Sequence, residues 1–156
     1  MLRVDTTDPL ATLHAQMDDM LKHNSTRVAF ALASPGNRRS TANGGYDFAS
    51  FDRMVRGATY NALLSEGSAS YEVVNHRHVG SQFSAIVKIV LGNGRELKFG
   101  MTLQPTGVVD EDARLEPYQL VRGHPPCWRT DRWCRAATDR MMPYIGADAT
   151  RCTLVS

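Results

Sequence analysis

The chain has 156 residues, with 18 basic and 16 acidic side chains and a net charge of +2 at pH 7. This length fits one domain, and the near balance of charge argues against a nucleic-acid partner. The three cysteines form no C-x-x-C pair, and no apolar run reaches the ~20 residues of a membrane-spanning helix. We therefore expect no bound metal, no cofactor, no nucleic acid and no membrane span.

The first half of the chain predicts helices. Asp8 and Pro9 form a helix start, because Asp caps free backbone amides and Pro tolerates the first helical position. The first helix then carries an apolar stripe at helical spacing, made of Leu10, Leu13, Met17, Met20 and Leu21. A second helix is predicted over 26–33. A third is predicted over 51–64, capped by Ser50, with one apolar face: Phe51, Met54, Val55, Ala58 and Ala62.

From residue 70 the apolar period changes to two, which is typical of strands. Strands are predicted over 70–79, 82–91 and 96–104, with a hairpin turn at Gly92-Asn93-Gly94. Shorter strands over 118–122 and 127–135 continue the antiparallel sheet. Trp128 and Trp133 lie five residues apart, so a regular strand would direct them to opposite faces.

Helices followed by a meander of four curved strands resemble the NTF2-like superfamily of cone-shaped α+β domains. Within it, the segments 99–104 (FGMTLQ) and 127–131 (CWRTD) look like those of a domain-of-unknown-function group that includes plant and algal proteins. The resemblance implies an NTF2-like domain over 1–135, a C-terminal extension over 136–156, and a pocket at the open end of the cone. Superfamily members use this cone as an enzyme site, a ligand pocket or a docking surface, so the fold leaves the function open.

An enzyme of this shape needs a general base and a hydrogen-bond donor for developing negative charge. The candidate pocket residues are His14, Asp18, Tyr60, Tyr71 and Trp128. His14 and Asp18 lie one helical turn apart and could orient one another. No Ser or Cys lies in a G-x-S-x-G motif, and we find no nucleophilic triad, so no catalytic residue is assigned.

His76 and His78 alternate with Arg77, which predicts that both imidazoles lie on one strand face. Two imidazoles at this spacing suit a shared metal ion, but a metal site needs a third ligand. The sequence does not place one beside them. We therefore interpret the pair as polar residues of an edge strand.

Three segments are suited to contacts with other proteins: the loop with Arg38 and Arg39, the acidic segment 105–116, and the apolar tail 136–156. The partner-binding candidates are Arg38, Arg39, Arg129, Arg132 and Tyr144. These features favour a non-catalytic accessory subunit or protein-binding domain that joins other subunits in a large organellar complex; a homodimer is a further arrangement. The alternative is a small-molecule pocket protein, or an enzyme of the isomerase or dehydratase type. Mitochondrion, plastid and cytoplasm all remain open as compartments.

Overall fold

The computed structural model describes residues 2–5, 7–34, 37, 47–57, 60–64, 70–106, 118–121 and 127–136. Within these residues the chain has an α+β fold. A strand β1 (Leu2–Asp5) precedes the helices α1 (Pro9–His23), α2 (Arg27–Ala31) and α3 (Phe48–Val55) and a 3-10 helix (Asn61–Leu64). The remaining strands are β2 (Ser70–Val79), β3 (Gln82–Val90), β4 (Glu96–Thr106), β5 (Tyr118–Val121) and β6 (Cys127–Ala136).

The first helix begins and ends as local chemistry dictates. The Asp8 carboxylate accepts a hydrogen bond from the Leu10 amide at 3.0 Å, and Pro9 occupies the first helical position. Asn24 ends the helix in the left-handed conformation, with φ of 49°, which Asn tolerates better than most residues. The predicted helix start is therefore confirmed. β1, just before it, was not predicted.

The third helix begins at a different cap from the one predicted. Asp47, not Ser50, is the N-cap: its carboxylate accepts hydrogen bonds from the Ser50 amide at 2.7 Å and the Ser50 hydroxyl at 3.0 Å. The helix also ends at Val55 rather than continuing to residue 64, and Gly57 follows, where a Cβ would lie only 3.1 Å from the Met54 carbonyl oxygen. Met54, expected on the buried face, is 49% exposed.

Four antiparallel strands form the main sheet, in the order β2-β3-β4-β6. The β3–β4 hairpin turns at residues 91–95 as predicted, and Gly94 has φ of 84°, a conformation that glycine adopts without strain. Bulges interrupt the register at Val74 in β2 and at Asp131 in β6. The outer edge of β6 is extended by Leu32–Ser34: the Thr130 amide donates to the Leu32 carbonyl at 2.7 Å, and the Ser34 amide to the Thr130 carbonyl at 2.8 Å.

One sequence prediction about the later strands is wrong, and a second loses the regular strand on which it depended. β5 does not join the antiparallel sheet; it pairs in parallel with β1, with Leu2 opposite Tyr118. The bulge at Asp131 also breaks the two-residue alternation on which the argument about the tryptophans depended. Trp128 lies opposite Pro105 and Trp133 opposite Met101, both on the same alternating set of β4 positions.

The hydrophobic core lies between α1 and one face of the main sheet. The face carries alternating apolar residues of β3 and β4 that the sequence predicts. Eight of them are buried: Phe83, Ala85, Val87, Ile89, Leu97, Phe99, Met101 and Leu103. Leu91, predicted on the same face, follows β3 and is partly buried. The stripe of α1 packs against them through Leu13, Met17, Met20 and Leu21. Large apolar side chains thus fill the space between the helix and the sheet.

Candidate functional site

His14, Asp18 and Tyr71 come together at the junction of α1 and β2. The one-turn spacing of α1 places His14 and Asp18 on the same side of the helix. Tyr71 is the second residue of β2 and lies opposite the buried Ile89, so its side chain leaves the sheet on the face that α1 covers. The Tyr71 ring centroid lies 5.7 Å from that of His14.

The Tyr71 hydroxyl joins the two helix residues. It donates to Asp18 Oδ1 at 2.8 Å and lies 2.8 Å from His14 Nδ1. Lys22, one turn further along α1, places its Nζ 3.2 Å from the same Asp18 oxygen. His14 is exposed, whereas Asp18 and Tyr71 are partly buried. The expected orientation of His14 by Asp18 therefore runs through Tyr71.

The environment of Tyr71 favours its protonated form. Burial, followed by the hydrogen bond to Asp18 and the negative charge of that carboxylate, raises the pKa of the Tyr71 hydroxyl well above its ordinary value of 10.0. Tyr71 consequently remains a proton donor to Asp18 throughout the neutral range.

Tyr60 and Trp128, the other two pocket candidates, lie away from this cluster. Tyr60 packs against the core, its ring centroid 6.1 Å from that of Phe99. Trp128 is 7% exposed and packs edge-on against His78 at 5.8 Å and Phe83 at 6.4 Å. Tyr71 and Trp128 belong to opposite ends of the β3–β4 ladder, near Leu97 and Pro105 respectively. The five candidates therefore do not line one site.

His76 and His78 share a strand face, as predicted, and both contact the same aromatic ring. Their ring centroids lie 5.6 Å and 5.2 Å from that of Phe83. Among the residues that the structure describes, no three His, Cys, Asp or Glu side chains are grouped closely enough to hold a metal ion. The contacts of the two imidazoles are therefore those of an aromatic cluster.

A buried polar network that the sequence analysis missed connects α1 with β6. The Thr130 hydroxyl lies 2.7 Å from Gln16 Nε2 and 2.9 Å from Gln16 Oε1, and both side chains are fully buried. Asn37 Nδ2 donates to the Thr130 carbonyl at 3.1 Å. Gln16 lies between Leu13 and Met17 on the apolar stripe, and a polar residue at that position is the feature that could have indicated the network.

The partner-binding candidates are described only in part. Arg38, Arg39 and Tyr144 lie outside the described residues, as does most of the C-terminal segment. Arg129 and Arg132 lie in β6, opposite Gln104 and Thr102 of β4. Across the described part of the chain, no helix combines the length and the apolar character that crossing a membrane requires.

Comparisons of the chain with protein-family models, with curated proteins and with solved structures found no match. The geometry of the described residues is therefore the basis of any functional conclusion.

Proposed function

We propose that this chain is a non-catalytic NTF2-like module that acts as an accessory subunit or protein-binding domain of a larger assembly. The cone-like fold is part of the proposal. It is supported by helices that precede most of the strands, by α1 packed across one face of the antiparallel sheet, and by two bulges, which bend and twist a sheet. The parallel pairing of β1 with β5 is an addition to the expected meander.

The packing between α1 and the sheet is the observation that carries this proposal. Met17, Phe99 and Met101 are at most 1% exposed, and they pack in the core between α1 and the sheet. In the proposed cone, this is the space that an enzyme would need for its substrate. Met fills irregular gaps in such cores, and protein interiors are close-packed. A filled interior leaves the outer surface and the chain extensions as the parts that can meet a partner.

The expected partners are other protein subunits, in an organellar assembly of the mitochondrion or plastid, or in a cytoplasmic one. We assign the contacts with these partners to the segments around Arg38–Arg39 and Tyr144 and to Arg129 and Arg132 of β6. Arginine suits this role because its planar guanidinium binds carboxylates in a bidentate manner. A homodimer is the alternative that experiments must distinguish from an assembly with other subunits.

Truncation tests the role of the tail directly. Deleting residues 137–156 keeps β6 intact, because β6 ends at Ala136. We expect the truncated chain to fold, with an unchanged circular dichroism spectrum, and to lose partner subunits that co-purify with the full chain in stoichiometric amounts. Arg53→Ala, an exposed change on α3, is the matched control and should retain them. Equal recovery of the partners by the truncated and full-length chains would remove the tail from the interface.

A second candidate function is supported by the contact of Tyr71 with His14 and Asp18, the acid–base residue types that an isomerase or dehydratase uses. Titration with small carbonyl compounds, followed by NMR at His14 and Tyr71, tests it. Saturable shifts confined to this cluster would favour a ligand site. If no compound in a panel of ketones and hydroxy acids causes such shifts, the non-catalytic module is the candidate function that stands.

A further inference from the structure

The hydrogen bonds among Asp18, Tyr71 and His14 favour one arrangement of protons. A tyrosine hydroxyl has one proton to donate, and an ionised carboxylate accepts hydrogen bonds but donates none. The Tyr71 proton goes to Asp18, at 2.8 Å. The 2.8 Å contact between Tyr71 and His14 Nδ1 must then take its proton from the imidazole. In this arrangement His14 carries its proton on Nδ1.

This tautomer has a chemical consequence at the other ring nitrogen. With the proton on Nδ1, the in-plane lone pair of a neutral imidazole lies on Nε2. Nε2 is on the far side of the ring from Nδ1, and the His14 side chain is exposed. Because the pKa of Tyr71 is raised, the hydroxyl keeps its proton at neutral pH and the arrangement persists. An oriented, accessible lone pair is what an imidazole nucleophile requires.

We propose that His14 is a modification site whose Nε2 accepts an acyl group from donors with a good leaving group, such as acyl phosphates and activated esters. The Nε2 lone pair forms a bond to the carbonyl carbon, and the leaving group departs with the electron pair of the bond that breaks. The Nδ1 proton passes to the Tyr71 oxygen while the Tyr71 proton passes to Asp18, which releases it to water. The product is a neutral acyl-imidazole.

The relay gives Tyr71 and Asp18 a role in the reaction at His14. Loss of the Nδ1 proton converts the cationic adduct to the neutral one, and Tyr71 and Asp18 provide the path for that proton. The modification lies on the surface at the α1–β2 junction, separate from the filled interior. It is independent of the proposed accessory role, since it requires no partner chain.

Diethyl pyrocarbonate, which acylates neutral imidazoles, tests the proposal on the full-length chain. The rate at each histidine is read by peptide mass spectrometry, so His23, His76 and His78 serve as internal references in the same sample. We expect Tyr71→Phe to slow acylation of His14 by about three- to tenfold, the effect of losing one charge-coupled hydrogen bond at an exposed site. Rates at the other histidines should not change. Tyr60→Phe removes a hydroxyl elsewhere and should leave His14 unaffected.

The tautomer provides a second readout that does not depend on any variant. Nitrogen-15 NMR of the wild-type chain above the imidazole pKa should show His14 protonated at Nδ1 and unprotonated at Nε2. In Tyr71→Phe the ring should revert toward the Nε2–H form that predominates in free histidine. A wild-type spectrum with the proton on Nε2 would overturn the proposal, and so would equal acylation of His14 in wild type and Tyr71→Phe. If the variant unfolds, all histidine rates will rise together, and the wild-type tautomer then decides.

Discussion

The contact between Gln16 of α1 and Thr130 of β6 gives the sharpest prediction of stability. The two residues are 114 positions apart in sequence, and both are 0% exposed. Thr130→Val keeps the branched shape of the side chain and removes the hydroxyl. Gln16 Oε1 then loses the donor at 2.9 Å, while Nε2 keeps the Thr12 carbonyl at 3.2 Å.

The expected loss of stability follows from the burial of Gln16 and Thr130. A buried polar group that loses its partner destabilises a protein by about 1–3 kcal/mol, because the desolvation of that group is no longer compensated. In Thr130→Val, Gln16 Oε1 loses its hydrogen-bond donor and Gln16 Nε2 keeps one of its two acceptors. We therefore expect the substitution to lower the free energy of unfolding by about 2 kcal/mol. Urea denaturation followed by far-UV circular dichroism measures this value.

A double-mutant cycle isolates the interaction from other effects of the substitutions. Gln16→Leu with Thr130→Val removes both polar groups, so the double variant should be less destabilised than the sum of the single ones, with a coupling of about 1 kcal/mol or more. Thr102→Val, on the partly exposed Thr102 of β4, is the matched control and should change the free energy of unfolding by no more than about 0.5 kcal/mol. Additive single changes, or a Thr130→Val effect no larger than the control, would refute the reasoning.

Three further predictions concern the core, a helix cap and Tyr71. Phe99→Ala, at a fully buried site, should lower the free energy of unfolding by about 3–5 kcal/mol. Met54→Ala, at a site 49% exposed, should change it by about 0.5 kcal/mol or less. Comparable urea midpoints for the two variants would contradict this packing. Asp47→Ala should lower the thermal midpoint more than Ser50→Ala, because Asp47 caps α3; the reverse order would restore Ser50 as the cap. The pKa of Tyr71 is raised in the folded state, so the contribution of its protonated hydroxyl to stability is complete below pH 10.0 and is lost as pH rises above that value. Tyr71→Phe should therefore reduce the loss of thermal stability at alkaline pH. The same pH dependence of the thermal midpoint in wild type and variant would argue against the hydrogen bond to Asp18.

The parts of the fold that the sequence predicted are those encoded by neighbouring residues. Asp8 and Pro9 start α1 with their own side chains, and the alternation in β3 and β4 identifies the residues that pack against α1. It does not identify Ser84 and Ile86, which lie between those residues in β3 and are buried too. The hairpin at residues 91–95 depends on a glycine that adopts positive φ. Residues close together in sequence determine each of these features, so a local sequence pattern is sufficient to predict it.

The features that were missed depend on distant contacts or on a single inserted residue. β5 has four residues, and nothing in them shows that its partner is β1, more than a hundred positions earlier. The bulge at Asp131 adds one residue to β6 and so shifts its register against β4 between Thr130 and Arg132. At α3, Asp47 and Ser50 both have capping side chains; the sequence analysis chose Ser50, whereas the structure has Asp47 as the N-cap.

The candidate site was predictable by residue type but not by grouping. The spacing of His14 and Asp18 indicated a shared helix side, whereas the choice of Tyr71 over Tyr60 as their neighbour depends on how α1 crosses the sheet. Trp128 belongs to the other end of the same sheet face. The pocket role of these residues stays a prediction.

The native mass of the endogenous protein in a gentle extract tests the central claim most directly. As an accessory subunit, the chain should migrate with a particle many times larger than its own 17.3 kDa and should be accompanied by stoichiometric partners. Migration at the mass of one chain, or of two copies, would contradict the proposal and leave a free-standing protein.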